Sequence, residues 1–220
     1  MLTNLIGVLV SYLYILIILA AVTLALKKEI VGRGVGRKII HIGVCHWWFI
    51  ALLMIDGLGW ALVGPVSFII INFIIARKDL LPGMNNENGR NYGTVYFPVT
   101  LVILLLAVYR FRFSPAAAGA GVMVMGWGDG MAAVAGEKIN SPSVMIFGNR
   151  KSLAGSCAMF IFSFAVLCAA YIFSGAAPDF LLIFLISAAA TAVEFITPYG
   201  LDNLSVPITV TLLSHFTAAF

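Results

Sequence analysis

Charged side chains are scarce in this chain: they make up 10% of 220 residues, while 62% are hydrophobic. A soluble domain carries roughly a quarter charged residues and has too little interior to hide so much apolar surface. A water-soluble globule is therefore excluded. Cysteine is equally sparse. Cys45, Cys157 and Cys168 each lie in an apolar run, with no CxxC pair and no even-numbered set. That excludes a disulfide framework and leaves them as small hydrophobes. The GxxxxGK[ST] phosphate loop, the GxGxxG dinucleotide fingerprint, HExxH and GxSxG are all absent. His41 and His46, five residues apart, fall on different faces of a helix and make a poor zinc pair. There is no repeat period, low-complexity tract or soluble second domain, so the chain reads as one integral membrane domain over residues 1–220.

What is present is a series of apolar runs of about 17 to 24 residues, the length that carries a helix across roughly 30 Å of hydrocarbon and too long for barrel strands. An all-α, polytopic membrane fold with about seven or eight transmembrane helices follows. Breaks at charges, glycines and prolines place helices at 3–26, 38–55, 58–76, 94–110, 115–136, 153–174, 179–197 and 206–220. The first run is too long for a cleaved signal peptide, and its charges, Lys27 and Lys28, follow it. The last begins at Pro207 and is short for a span, so a tilted or interfacial segment is expected.

The net charge of +4 belongs to short loops rather than to a nucleic-acid surface, and no nucleic-acid partner is expected. Lys27, Lys28, Arg33, Arg37 and Lys38 follow the first helix; Arg77, Lys78 and Arg90 follow the third; Lys138, Arg150 and Lys151 follow the fifth. The opposite side receives Arg110 and Arg112. The basic side should face the cytoplasm of the inner membrane, with the N-terminus outside.

Polar residues gather at those basic ends. Asp129 stands in "GWGDGMAAVAGEK" among Gly126, Gly128, Gly130 and Gly136, nine residues, roughly 13 Å of helix, before Lys138. A carboxylate in a spanning helix faces the bundle interior, a partner or a water-filled cavity. A structural buried pair and a functional carboxylate both account for it. His41 lies in "RKIIHIG", "NYGTVYFP" opens the fourth helix, and Glu194 is followed by "PYGLDN" with Asp202 and Asn203. Arg150 and Lys151, in "GNRKSLAGS", precede a helix whose first turn presents unpaired N–H groups, a setting that favours phosphate oxygens. Each has a plainer reading taken singly: interface anchors, a core histidine, a neutralising acid, a topology signal. Their shared depth points to an active site at the inner face.

In this order, "RKIIHIG", "NYGTVYFP", "GWGDGMAAVAGEK", "GNRKSLAGS" and "VEFITPYGLDNLSVP" resemble the polytopic CTP-dependent lipid kinases: dolichol kinase, phytol kinase and the CTP-dependent diacylglycerol kinases, more distantly related to phosphatidate cytidylyltransferases. The likeness covers residues 37–210 and leaves residues 1–30 outside. It implies transfer of the γ-phosphoryl group of CTP, with Mg²⁺, to the hydroxyl of a membrane lipid alcohol. The implied metal carboxylates are Asp129 with Glu194 or Asp202. Lys138, Arg150 and Lys151 would meet phosphates, and Lys38, His41, Asn149, Ser152 and Asn203 would contact nucleotide or substrate. The family loop commonly reads K-S-x-E-G; here Leu153-Ala154-Gly155 follows Lys151-Ser152 without the acid. Two other readings stay open, a lipid cytidylyltransferase and, from a different class, a transporter whose buried carboxylates mark an ion path.

Overall fold

The structure is a computed structural model that describes residues 1–78, 93–217 and 219, with the backbone alone for Ala76 and Lys78. Arg90 and the Asn91-Tyr92 start of "NYGTVYFP" lie outside the described residues. The helices are α1 (Leu2–Lys27), α2 (Arg33–Cys45), α3 (Trp47–Met54), α4 (Leu58–Lys78), α5 (Gly93–Phe111), α6 (Pro115–Met123), α7 (Gly130–Lys138), α8 (Leu153–Ser174), α9 (Phe180–Ile196) and α10 (Asp202–Phe216). A π turn, Val124–Asp129, joins α6 to α7, and a hairpin of β1 (Ser143–Ile146) and β2 (Asn149–Ser152) precedes α8. Among the described residues, five stretches are long and apolar enough to cross a membrane: α1, α2 with α3, α4 to Ile75, α5 and α8; α9 is a shorter apolar helix. The chain is thus a helical membrane protein, as its apolar runs predict.

Local chemistry sets the helix ends. Ser114 accepts from the Ala117 N–H with Pro115 behind it, Asp179 accepts from Leu181 and Leu182, and Ser152 accepts from Gly155. Gly175 closes α8 in the left-handed region at φ 75°. Proline inside a helix removes the bond to the carbonyl four residues earlier, and neighbouring helices supply the missing donors. The Thr94 carbonyl, freed by Pro98, accepts from Asn72 Nδ2 at 2.7 Å. The Asn203 carbonyl, freed by Pro207, accepts from Thr100 Oγ1 at 2.8 Å. Pro98 and Pro207 are thereby converted into interhelical ties, as a bilayer interior requires.

Taking α2 with α3 and α6 with α7 as single rods, the ends of the helices sort into two groups. At one end Asn4 Oδ1 accepts from the Asp56 N–H at 2.6 Å, Tyr109 donates to the Ile55 carbonyl, and the Ser114 N–H donates to His215 Nδ1. At the other, the polar end, lie Lys38, Asp129, Lys151, Glu194 and Asp202.

Glycines set the spacing around the rod Pro115–Lys138. A Cβ on Gly121 would collide with the Pro207 carbonyl and Thr211 Oγ1 of α10. One on Gly126 or Gly130 would strike α2, the latter 2.6 Å from Ile42 Cγ1; one on Gly128 would come 2.6 Å from Met159 of α8. This rod is the axle of the bundle, gripped on three sides by α2, α8 and α10.

Four expectations are corrected. The single helix 38–55 is two helices broken at His46, whose Nδ1 bonds the Ile42 carbonyl at 2.9 Å. The helix 115–136 reaches Lys138 and contains the π turn. The last helix starts at Asp202 rather than 206 and ends at Phe216. The basic loop 148–156 is not a loop: its first half is strand β2, and the all-α architecture carries this one hairpin.

Candidate active site

Three carboxylates meet at the polar end from separate elements. Asp129 is the last residue of the π turn, Glu194 stands in the final turn of α9, and Asp202 opens α10. One oxygen from each lies within 4.8 Å of the others, with Asp129 and Glu194 buried. Like charges so placed repel in a low dielectric, so the cluster needs compensation. Part of it comes from two lysines. Lys38 Nζ lies 2.9 Å from Asp129 Oδ2, and His41 Nε2, one turn along α2, is 3.4 Å from the same oxygen. Lys151, from β2, pairs with Glu194 Oε1 and also donates to the Glu194 carbonyl at 2.8 Å. Asp202 has no salt bridge among the described residues; its Oδ1 accepts from the Asn203 N–H at 2.9 Å and from Asn203 Nδ2 at 3.2 Å. The two ammonium groups leave the third acid, Asp202, without a cation of its own among the described residues. Hard oxygen donors in that state are the set an oxygen-preferring divalent cation takes.

Above the carboxylates opens a cleft of about 470 Å³. Of the residues singled out from sequence, Lys38, Asp129, Asn149, Arg150, Lys151, Ser152, Glu194, Asp202 and Asn203 line it. His41 lies beneath, against Asp129. Arg150 is exposed at the edge, where its Nε donates to Ser143 Oγ at 3.1 Å. The Ser152 hydroxyl caps α8, so one of its two lone pairs is engaged by the Gly155 N–H.

Lys138 is the exception. It is exposed and does not line the cleft. Helical phase explains why: nine residues at about 100° each turn Lys138 to the face opposite Asp129. Ala133 and Gly136, on the Asp129 face, line the cleft instead. Glu137 and Tyr199 also line the cleft without having been singled out. Tyr199 and Gly200 both hold positive φ, 58° and 78°, in the sharp turn that carries α9 into α10. The Pro198-Tyr199-Gly200 string is the sequence signal for that turn.

No family model matches the chain, and no solved structure does. Two curated proteins are similar to it. It is 29% identical over 190 residues to phytol kinase of Synechocystis sp., covering 82% of this chain and 78% of that protein. It is 28% identical over 214 residues to phytol kinase 1, chloroplastic, of Arabidopsis thaliana, covering 88% of this chain and 70% of that protein. The chain resembles phytol kinases along most of its length.

Proposed function

We propose that the chain is a membrane kinase that phosphorylates the hydroxyl of a prenyl alcohol of the phytol type, with CTP as donor and Mg²⁺ as the divalent partner. The observation that carries this reading is the meeting of Asp129, Glu194 and Asp202 beside Lys38 and Lys151 at one end of an apolar bundle. Its similarity to two phytol kinases points the same way. In the reaction the alcohol oxygen forms a bond to the γ-phosphorus, the bond to the β–γ bridging oxygen breaks, and CDP and the hydroxyl proton leave. Such transfer asks a protein mainly to position reactants and to balance charge.

The residues divide that work. Asp129, Glu194 and Asp202 supply the oxygens for Mg²⁺, which when bound neutralises phosphate charge. Lys38, Arg150 and Lys151 surround the cleft with cations for the phosphates, beside the N-terminus of α8. Asn149, Ser152 and Asn203 flank them with neutral polar groups. His41 buttresses Asp129. A lipid hydroxyl rests near the headgroups, so a site at the ends of the helices lets it meet a nucleotide that comes from water. A transport path would instead spread its polar groups through the membrane depth.

The test is purified protein with labelled CTP or ATP, Mg²⁺ and a panel of phytol, dolichol and diacylglycerol. Phytyl phosphate with stoichiometric CDP is expected. Pyrophosphate with a CMP-bearing lipid would replace the kinase by a cytidylyltransferase, and no lipid product with any donor would remove both.

The basic polar end is proposed to face the cytoplasm. A cysteine at Asn149 should then react with a membrane-impermeant thiol reagent only in opened cells, and one at Ala177 in intact cells. Reaction of both from one face would reject this orientation and the alternation of the helices together.

A further inference from the structure

One strand of the hairpin lines the cleft, and the other has an outer edge that pairs with no further strand among the described residues. Every residue of β2 lines the cleft, and none of β1 does. β1 reads Ser-Val-Met-Ile, with no charge and no proline, and pairs on one side with β2 in the register Ser143↔Ser152 to Ile146↔Asn149. Val144 on one face of the strand is 52% exposed, Met145 on the other 67%, and Phe147 in the turn 64%. A two-stranded hairpin by itself is marginal in water, and an uncharged apolar edge strand exposed to water invites aggregation.

The surroundings say what covers it. The hairpin is bounded by the inner ends of two helices. Ile139 and Leu153, on either side of it, are exposed apolar residues, and Leu153 is the first residue of the membrane-spanning α8. The apolar edge is therefore continuous with the lipid-facing belt of the bundle. Lys138 is exposed next to it and suits lipid phosphates.

We propose that the β1 edge and the Phe147 turn are seated in the headgroup and upper acyl layer of the bilayer, making the hairpin a membrane-embedded wall of the cleft. The cleft then opens at the lipid surface through β2. Given the lipid-kinase reading above, the substrate hydroxyl reaches the carboxylates along this wall without crossing bulk water.

The seating is measured independently of activity. Single cysteines at Val144, Met145 and, as a reference, Asn140, placed in a chain whose native cysteines are replaced, are labelled with an environment-sensitive fluorophore in phosphatidylcholine–phosphatidylglycerol vesicles. Probes at 144 and 145 should be quenched by iodide several-fold less than the probe at 140. They should be quenched more by lipids brominated near the ester end of the acyl chain than near its methyl end. Iodide quenching equal to that at 140, with no effect of brominated lipid, would overturn the proposal. Protection that appears in detergent and grows with protein concentration would also overturn it, by marking a contact between copies. If the cysteine-free chain does not fold, Phe147→Trp in the native chain reports the same comparison: brominated lipid should quench more of its emission than of the unaltered protein's.

The consequence for substrate is separate. The double variant Met145→Gln, Phe147→Gln, polar but uncharged beside Arg150, should raise the apparent KM for phytol presented in vesicles about tenfold while leaving the KM for CTP unchanged. An unchanged KM for phytol would reject the access route. An unaltered protein inactive on every alcohol would reject the kinase reading and leave the quenching result standing.

Discussion

Asp129→Asn is expected to yield a folded, monodisperse protein whose lipid phosphorylation falls by about 10²- to 10³-fold, as loss of one preorganised electrostatic group does elsewhere. Asparagine keeps the shape of the side chain and one oxygen that can accept from Lys38 Nζ, now at 2.9 Å. It removes a charge that disfavours insertion of an apolar helix, so production should not suffer. The Lys38 side chain is 28% exposed and can turn its ammonium toward water once its anion is gone. The deficit should therefore lie in chemistry, and raising Mg²⁺ should recover part of it if the carboxylate holds the metal. A near-normal rate at ordinary Mg²⁺ would return Asp129 to the role of a structural partner for Lys38 and His41. The measurement is initial rate across a Mg²⁺ series on protein shown monodisperse by gel filtration.

Gly121→Ala is expected to lose most of the folded yield although it lies far from the cleft. Its added methyl would overlap the Pro207 carbonyl, which is backbone and cannot swing aside, as well as Thr211 Oγ1. Overpacking of this kind is typically destabilising by about 1–3 kcal/mol, and more where backbone must move. Prying α10 from α6 also displaces the helix that begins with Asp202, so the carboxylate cluster would loosen in whatever protein survives. Gly59→Ala is the control, since a Cβ there meets nothing within 4 Å. Thermal unfolding in detergent separates the two: Gly59→Ala should match the unaltered chain and Gly121→Ala should unfold well below it. Equal midpoints would show that the α6–α10 seam yields without cost.

The helices were legible in the sequence because apolar run length is a direct reading of bilayer thickness. Asp129 and Glu194 were legible too, since an acid in such a run needs a reason of its own, while Asp202 stood between two runs and was marked by the family resemblance. Other features depend on partners distant in the chain. The break at His46 and the π turn arise where α2, α8 and α10 close onto Gly121, Gly126, Gly128 and Gly130, and glycine spacing alone does not name the helix that will fill each gap. The lysine pairings are equally remote, Lys38 with Asp129 across 91 positions and Lys151 with Glu194 across 43. The hairpin hid behind an unusual turn. Its two-residue loop is Phe147-Gly148, both at positive φ, 46° and 79°. Such turns normally announce themselves with Asn-Gly or Asp-Gly, and phenylalanine in the first position gives no such signal. Lys138 differs for a simpler reason: its depth along the helix is that of the polar end, but its angle around the axis turns it away from the cleft.

The π turn also carries a lesson about phase. A wide turn spends one more residue than an α-helix would, so everything after it is rotated by about 100° relative to an unbroken helix. In this chain the residues before the turn meet α10 through Gly121, while those after it meet α2 through Gly130 and the hairpin through Gly136. The turn is where the rod changes neighbours, and Asp129 is its last residue. The carboxylate is aimed by a count of residues rather than by the identity of those beside it. Shortening 124–128 by one residue would keep every side chain of the site and point the acid at the wrong helix.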